Sequence, residues 1–436
     1  MLTKEKQERV RKLALGYYNT ICKNSFNNSN RFCGMELEFS IIDKKNILKP
    51  GLAKKISDST SNYHIVPELG SYQIEINPPP LKIESKVFHN LYKIFQNSRI
   101  RLQEISSNYN ANVIPIGLPF YLGKKFFKND GIYTDKKRYV TSAEYFGGMN
   151  KKGTEIMFKD GTKLILPGAS GVSVINELHI QLQAINIHDL VRLFNYSQMI
   201  TAPFVAIGAN SGITNGKELV DLDHQIKIFE RTEGILDGFP GFPRTGLFPG
   251  YIKSMDEFFD VALSFKPIHY PLDGRGYTAF DLMLGTYFAW TRIRHGIIPK
   301  PHMRIEFRPL SSQPTIIENV ALSEFYIKTI LYLVENNLPL IPERFLMKNF
   351  RSCMKDGMNA IIYWTFNGEV KKVPVGEILR LFIDSITDGE LLHLLYNRVD
   401  MKCCPAQKLI SETKEFGYKK AISRYKNSFE NEENYV

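Results

Sequence analysis

The sequence reads as one continuous domain of mixed helix and strand. Segments with helical spacing of apolar residues are separated by short strands with two-residue alternation, and no Pro/Ser-rich linker divides the 436 residues. Lys4 to Ile21 has helical spacing, with Val10, Leu13, Leu15 and Tyr18 toward one side, and Lys86 to Ser107 repeats the pattern. Asn186 opens a third helix with Asp189 three residues on, and Thr315 opens a fourth with Glu318 completing a capping box. The tail from Pro342 to Lys426 predicts further helices around one hairpin, Ala360 to Val373, turning at Asn367–Gly368. Between Gly234 and Gly274 lie loops rich in Gly, Pro and Phe; long irregular loops in a compact domain usually cover a site. The last residues, Asn431 to Val436, look polar and frayed.

Composition narrows the classes. The chain is 43% hydrophobic, 12% aromatic and 23% charged, ordinary for a globular protein. Its net charge of +11 comes from lysines scattered between Lys4 and Lys426, with no run of five. A basic stripe interleaved with stacking aromatics is missing, so nucleic acid is not the expected partner. No segment reaches the roughly 18 apolar residues of a spanning helix, and no membrane partner is expected. Met1 to Arg11 lacks the apolar core of an export signal. Five cysteines with no CxxC pair read as reduced thiols, vicinal Cys403–Cys404 included. The expected compartment is the cytoplasm.

The chemistry shows in the alternation of four strands. In Gly34-Met35-Glu36-Leu37-Glu38-Phe39 both carboxylates share a face. Gln73, Glu75 and Asn77 share one in the next strand, His179, Gln181 and Gln183 in the third, and Arg304, Glu306 and Arg308 in the fourth. Solvent faces carry Lys, Thr and Ser. These faces carry paired carboxylates, an imidazole, amides and arginines. Carboxylates two residues apart repel unless a cation lies between them. A hard divalent ion such as Mg²⁺ supplies that charge and commonly bridges carboxylates to ATP phosphates, and flanking arginines stabilise a transferring phosphoryl group. Glu68, between Pro67 and Gly70, stands at the mouth of its strand.

These segments resemble the glutamate–cysteine ligase family within the glutamine-synthetase-like ligases. Gly34 to Phe39 resembles its first metal-binding strand, and Pro67-Glu68-Leu69-Gly70 through Glu75-Ile76-Asn77-Pro78-Pro79 its next acidic pair. Leu178-His179-Ile180-Gln181 is similar to the strand with its metal-binding histidine, and Ala209-Asn210-Ser211 to its Ala-Asn-Ser segment. Arg244-Thr245-Gly246 resembles a substrate loop, and Arg304-Ile305-Glu306-Phe307-Arg308-Pro309 the last catalytic strand. The order of the motifs is the family's.

The resemblance implies an α+β fold: an antiparallel sheet curved into a funnel, with helices on its outer face. It implies an ATP- and Mg²⁺- or Mn²⁺-dependent ligase that forms an amide through an acyl phosphate, with γ-glutamyl transfer to cysteine or another amine. Small-molecule carboxylate and amine substrates are then the partners. Carried over by residue, Glu36, Glu38, Glu68, Glu75, His179 and Glu306 would be metal ligands. Arg308 and Glu306 would be catalytic, with Arg308 and Arg304 on the nucleotide's phosphates. Arg244, Gln181, Asn210 and Lys227 would bind substrate. A guanidino kinase shares the sheet but needs an activated cysteine beside a carboxylate, a setting that neither Cys33 nor Cys353 shows. Residues 1–340 would form the catalytic domain, with 341–436 a helical extension packed on it. Two departures stand out. Gly212-Ile213 follows the Asn-Ser segment where relatives carry Pro-Phe, and Gln225 and Lys227 occupy the helix where plant-type relatives carry a substrate-gripping arginine.

Overall fold

The computed structural model describes residues 2–22, 26–60, 63–123, 126–128, 131–298 and 300–432. Its centre is an antiparallel sheet. β1 is Phe32–Ile42, β2 Ile65–Pro67, β3 Gln73–Ile76, β4 Glu177–Gln183, β5 Thr291–Gly296 and β6 His302–Ser311. The order across the sheet is β5-β6-β4-β1-β3-β2, and two short strands, Leu81–Lys82 and Asn112–Ile114, also pair with β1.

Alternation decides what each face does. Met35, Leu37 and Phe39 of β1, Leu178, Ile180 and Leu182 of β4, and Ile305 and Phe307 of β6 are all buried on one side. Lys4–Tyr17 is α1 and Val87–Ser107 is α2; two long helices, Ile187–Gly208 (α4) and Ile316–Glu335 (α7), cover that side. Phe307 stacks on Tyr326 of α7 at 4.1 Å between centroids and meets Phe204 of α4 edge-on. The caps expected for these helices form: Asn186 accepts from the Asp189 N–H, and Thr315 from the Glu318 N–H.

Register in β6 shifts between Phe307 and Leu310. Pro309 cannot donate to the ladder, so the bulge falls where its missing N–H costs least. The extra residue leaves Arg308 on the polar side with Glu306 while Leu310 returns to the core opposite Leu178.

The polar side is roofed by three shorter helices: Lys137–Met149 (α3), His224–Glu233 (α5) and Gly276–Gly285 (α6). The tail forms helices around the hairpin Ile361–Phe366/Glu369–Pro374, whose turn residues Asn367 and Gly368 have φ of 49° and 83°. No helix of the described residues is long and apolar enough to cross a membrane.

Two expectations need correction. The segment Gly234–Gly274 is not all loop, since Met255–Ala262 is a helix that buries Phe258 and Phe259. Glu432 is not frayed: its carboxylate is buried and accepts from the Ile316 and Ile317 N–H groups, capping the first turn of α7 from across the molecule. Residues 433–436 lie outside the described residues.

Candidate active site

A cavity of ≈ 370 Å³ opens between the polar face of the sheet and the roof helices. Glu36, Glu38, Glu68, Glu75, His179, Gln181, Arg304, Glu306 and Arg308 all line it. Cross-strand pairing sets their neighbours: Glu36 faces His179, Glu38 faces Glu75, and Gln181 faces Glu306.

The carboxylates divide into three sets whose ligand atoms lie within 4.8 Å of one another: Glu36, Glu75 and His179; Glu38, Glu177 and His179; Glu38, Glu68 and Glu75. Oxygen-rich triads, two of them sharing the His179 imidazole and the third all carboxylate, suit a hard divalent cation. The protonation behaviour agrees. Burial pushes Glu38 up to about 8 against the pull of His179, and burial followed by the charges of Glu36, Glu68 and Glu38 holds Glu75 well above its ordinary value. Glu68 is also raised, chiefly by burial. Burial outweighs the positive charge that reaches them from His179 and Arg138. Glu36 shifts down instead: burial opposes ionisation, but the His179 hydrogen bond at 3.2 Å and the charges of His179 and Arg304 outweigh it. His179 rises to about 10. Burial and Arg308 oppose its charge, and Glu177 at 2.9 Å together with Glu36 prevails. A divalent cation on these triads would replace the imidazole proton.

The opposite flank is cationic. Arg292 (2.8 Å) and Arg308 (2.9 Å) both bond Glu306 Oε1, and Arg308 also reaches Glu177 Oε2 at 3.2 Å. Burial disfavours the Glu306 carboxylate, yet Arg292, Arg308 and Arg294 hold it well below the ordinary range. Glu306 belongs to none of the three converging sets. Its oxygens are held by arginines, so the sequence-based expectation that it ligates metal is not what the geometry favours. Arg304 donates through Nε to Gln181, which donates to Glu36 Oε1 at 2.6 Å and so bridges the two flanks.

Three expected substrate residues lie elsewhere. Arg244 is wholly buried and is not among the residues that line this cavity. Its guanidinium pairs with Asp237 (2.7 Å) and donates to the Thr286 and Lys266 carbonyls, both at 2.9 Å, over the Phe265 ring. Asn210 donates to the Ser312 carbonyl and the Tyr425 hydroxyl. Lys227 turns to Asp221 at 3.3 Å, and the Gln225 backbone N–H donates to Ser211. Cys33 and Cys353 are buried with raised pKa values, Cys33 to about 12 by desolvation, so neither is an activated thiol.

Sequence reasoning missed Glu177, Arg292, Arg294, Arg138 and Glu233, which all line the cavity. The alternation of β4 extends two residues back from His179 to Glu177, and Arg292-Ile293-Arg294 alternates in β5. Arg138 and Glu233 sit on roof helices and carry no comparable pattern.

A family model described as glutamate–cysteine ligase family 2 (GCS2) matches residues 32–334. No curated protein matches the sequence. Among solved structures, the glutamate–cysteine ligase of Francisella tularensis in complex with AMP aligns with a TM-score of 0.56 and 11% identity, over 92% of this chain and 88% of that one. A bifunctional glutathione synthetase from Pasteurella multocida aligns with a TM-score of 0.50 and 13% identity, over 95% of this chain but 54% of that one. At such identities the likeness speaks for the fold, which is the α+β fold expected of glutamine-synthetase-like ligases.

Proposed function

The chain belongs to glutamate–cysteine ligase family 2, and from that premise we propose that it is an ATP- and Mg²⁺-dependent carboxylate–amine ligase. The carrying observation is one cavity with two flanks, an acidic one short of positive charge and a cationic one beside it.

In this reading Glu36, Glu38, Glu68, Glu75, Glu177 and His179 would hold divalent metal, which would neutralise phosphate charge and orient the nucleotide. Arg308, fixed by Glu306 and Glu177, faces the phosphoryl group in flight; Arg304 and Arg292 add positive charge around it. The substrate carboxylate attacks the terminal phosphorus of ATP, giving an acyl phosphate and ADP. An amine then attacks the acyl carbon, and phosphate leaves with its bonding electrons. With Arg244 committed to Asp237, the acid substrate is assigned to cations that line the cavity. Arg138 has no hydrogen bond or ion pair among the described residues, and Arg304 keeps both Nη atoms free of one. Glutamate is the first acid to test and cysteine the first amine. The catalytic unit is assigned to residues 1–340, with 341–436 as an extension.

The test is ADP release from ATP with a panel of carboxylates and amines, with and without Mg²⁺. Turnover that needs acid, amine and metal together supports the reading; undiminished turnover in excess EDTA overturns it.

A further inference from the structure

Glu233 ends α5 on the cavity wall, one turn after Phe229, which lines the same wall. It is only 4% exposed, and its carboxylate accepts no hydrogen bond from any described residue; Oε2 is fully shielded without a partner. An ionised carboxylate left so costs several kcal/mol. Arg308, Arg244 and Arg292 act on it through space, but each guanidinium already serves another acid. Arg308 is bound to Glu306 and Glu177, Arg292 to Glu306, and Arg244 to Asp237. Burial therefore pushes Glu233 up to about 8 in spite of three arginines. Glu177 likewise has Oε1 buried without a partner. This part of the cavity lacks a cation that the protein does not supply.

A metal ion is a poor match for that cation, because Glu233 belongs to none of the converging ligand sets and a divalent ion takes several oxygens. An ammonium group fits one carboxylate on a partly apolar wall: it is a compact charge with three donors. Phe229, Val172 and Ile175 supply apolar lining to the same cavity.

We propose that Glu233 is the residue that recognises the ammonium group of the amine substrate. The proposal rests on the ligase reading and deepens it: the acceptor enters as a charged primary amine and docks against α5. Its nitrogen first passes one proton to the Glu233 carboxylate, which frees the lone pair that forms the C–N bond. The second proton, still on the nitrogen after that bond forms, leaves with the phosphate, which departs with the electrons of the broken C–O bond.

The experiment compares the full-length wild type with Glu233→Gln in two assays of ADP release, one with cysteine and other charged primary amines, the other with hydroxylamine, which is uncharged at neutral pH. Glu233→Gln should raise KM for the charged amine about 10-fold or more while KM for hydroxylamine and ATP change less than about 2-fold. Its Tm should hold near neutral pH and rise above about pH 8, where the wild-type carboxyl becomes a buried uncompensated charge. Glu233→Asp should retain part of the preference for the charged amine. Equal effects on both amines, no effect on either, or a lowered Tm with uniform loss would overturn the proposal. So would a wild type that uses hydroxylamine but no charged amine. A wild type inactive with every acceptor would instead overturn the ligase reading itself.

Discussion

On one flank of the sheet Glu38 of β1 stands directly opposite Glu75 of β3; on the other, Arg294 of β5 stands directly opposite Arg304 of β6. Like charges facing each other across a ladder are destabilising. The fold carries one such pair of each sign in a single cavity. Protonation differs accordingly. Burial and neighbouring acids raise Glu38, Glu68 and Glu75, while Glu306, equally buried, is driven down by three arginines. Burial, followed by the charge of Arg294, lowers Arg304. The acidic flank needs an external cation and the arginine flank an external anion. Under the proposed function a metal–nucleotide complex would bring both, and binding it would relieve strain that the free protein carries.

Breaking the acidic flank should have the largest effect. Glu38→Gln or Glu75→Gln should cut turnover about 10³-fold or more, since metal stabilisation of phosphoryl charge is worth several kcal/mol. Neither should unfold the protein, and a Tm that holds or rises would fit the removal of a like-charge pair. Unfolding of both variants would make these carboxylates structural. Next comes the arginine flank. Arg308→Lys keeps a charge but loses the fork that joins Glu306 and Glu177. A fall of about 10²-fold in kcat is expected, or roughly 2.7 kcal/mol. A change confined to KM for ATP would assign Arg308 to ground-state binding.

Arg244 sharpens the comparison from outside it. Its charge is compensated by Asp237, so Arg244→Ala strands a buried carboxylate and should cost about 3 kcal/mol of stability. In the folded fraction KM for the acid should hold. A raised KM without a lowered Tm would return Arg244 to substrate binding.

The smallest effect is on pH. Glu38 and Glu233, with pKa values raised from 4.5 to about 8, stabilise the fold below 4.5 and lose that contribution as pH rises through about 8. His179, raised to about 10, acts in the same direction at higher pH. Glu36 and Glu306, both lowered, matter only as pH falls below 4.5. Metal-free protein should therefore melt at lower temperature near pH 8 than near pH 5, and Mg²⁺ should recover more stability at the higher pH. A flat or rising Tm profile would contradict the shifts.

The sheet was the legible part. Period-two alternation put Glu36 and Glu38 on one face and Leu37 and Phe39 on the other, and backbone pleating enforces that wherever the strand lies. Helix starts at Asn186 and Thr315 were readable because capping is local chemistry. What alternation leaves out is the partner each side chain meets. Arg244 reads as a free substrate cation until Asp237, seven residues earlier, is seen to occupy it. Glu306 reads as a ligand until Arg292, from a strand not singled out, closes on it. Glu233 ends a helix with no sequence mark, and only the roof's packing brings it to the cavity. The Glu432 cap spans more than a hundred residues of chain.

The central claim is that the two flanks together move a phosphoryl group onto a carboxylate. Turnover of an acid substrate labelled with heavy oxygen in its carboxylate tests this most directly. One labelled oxygen should appear in the inorganic phosphate for each amide formed, because the acyl phosphate's bridging oxygen leaves with phosphorus. Amide formed with no label in phosphate would contradict the account.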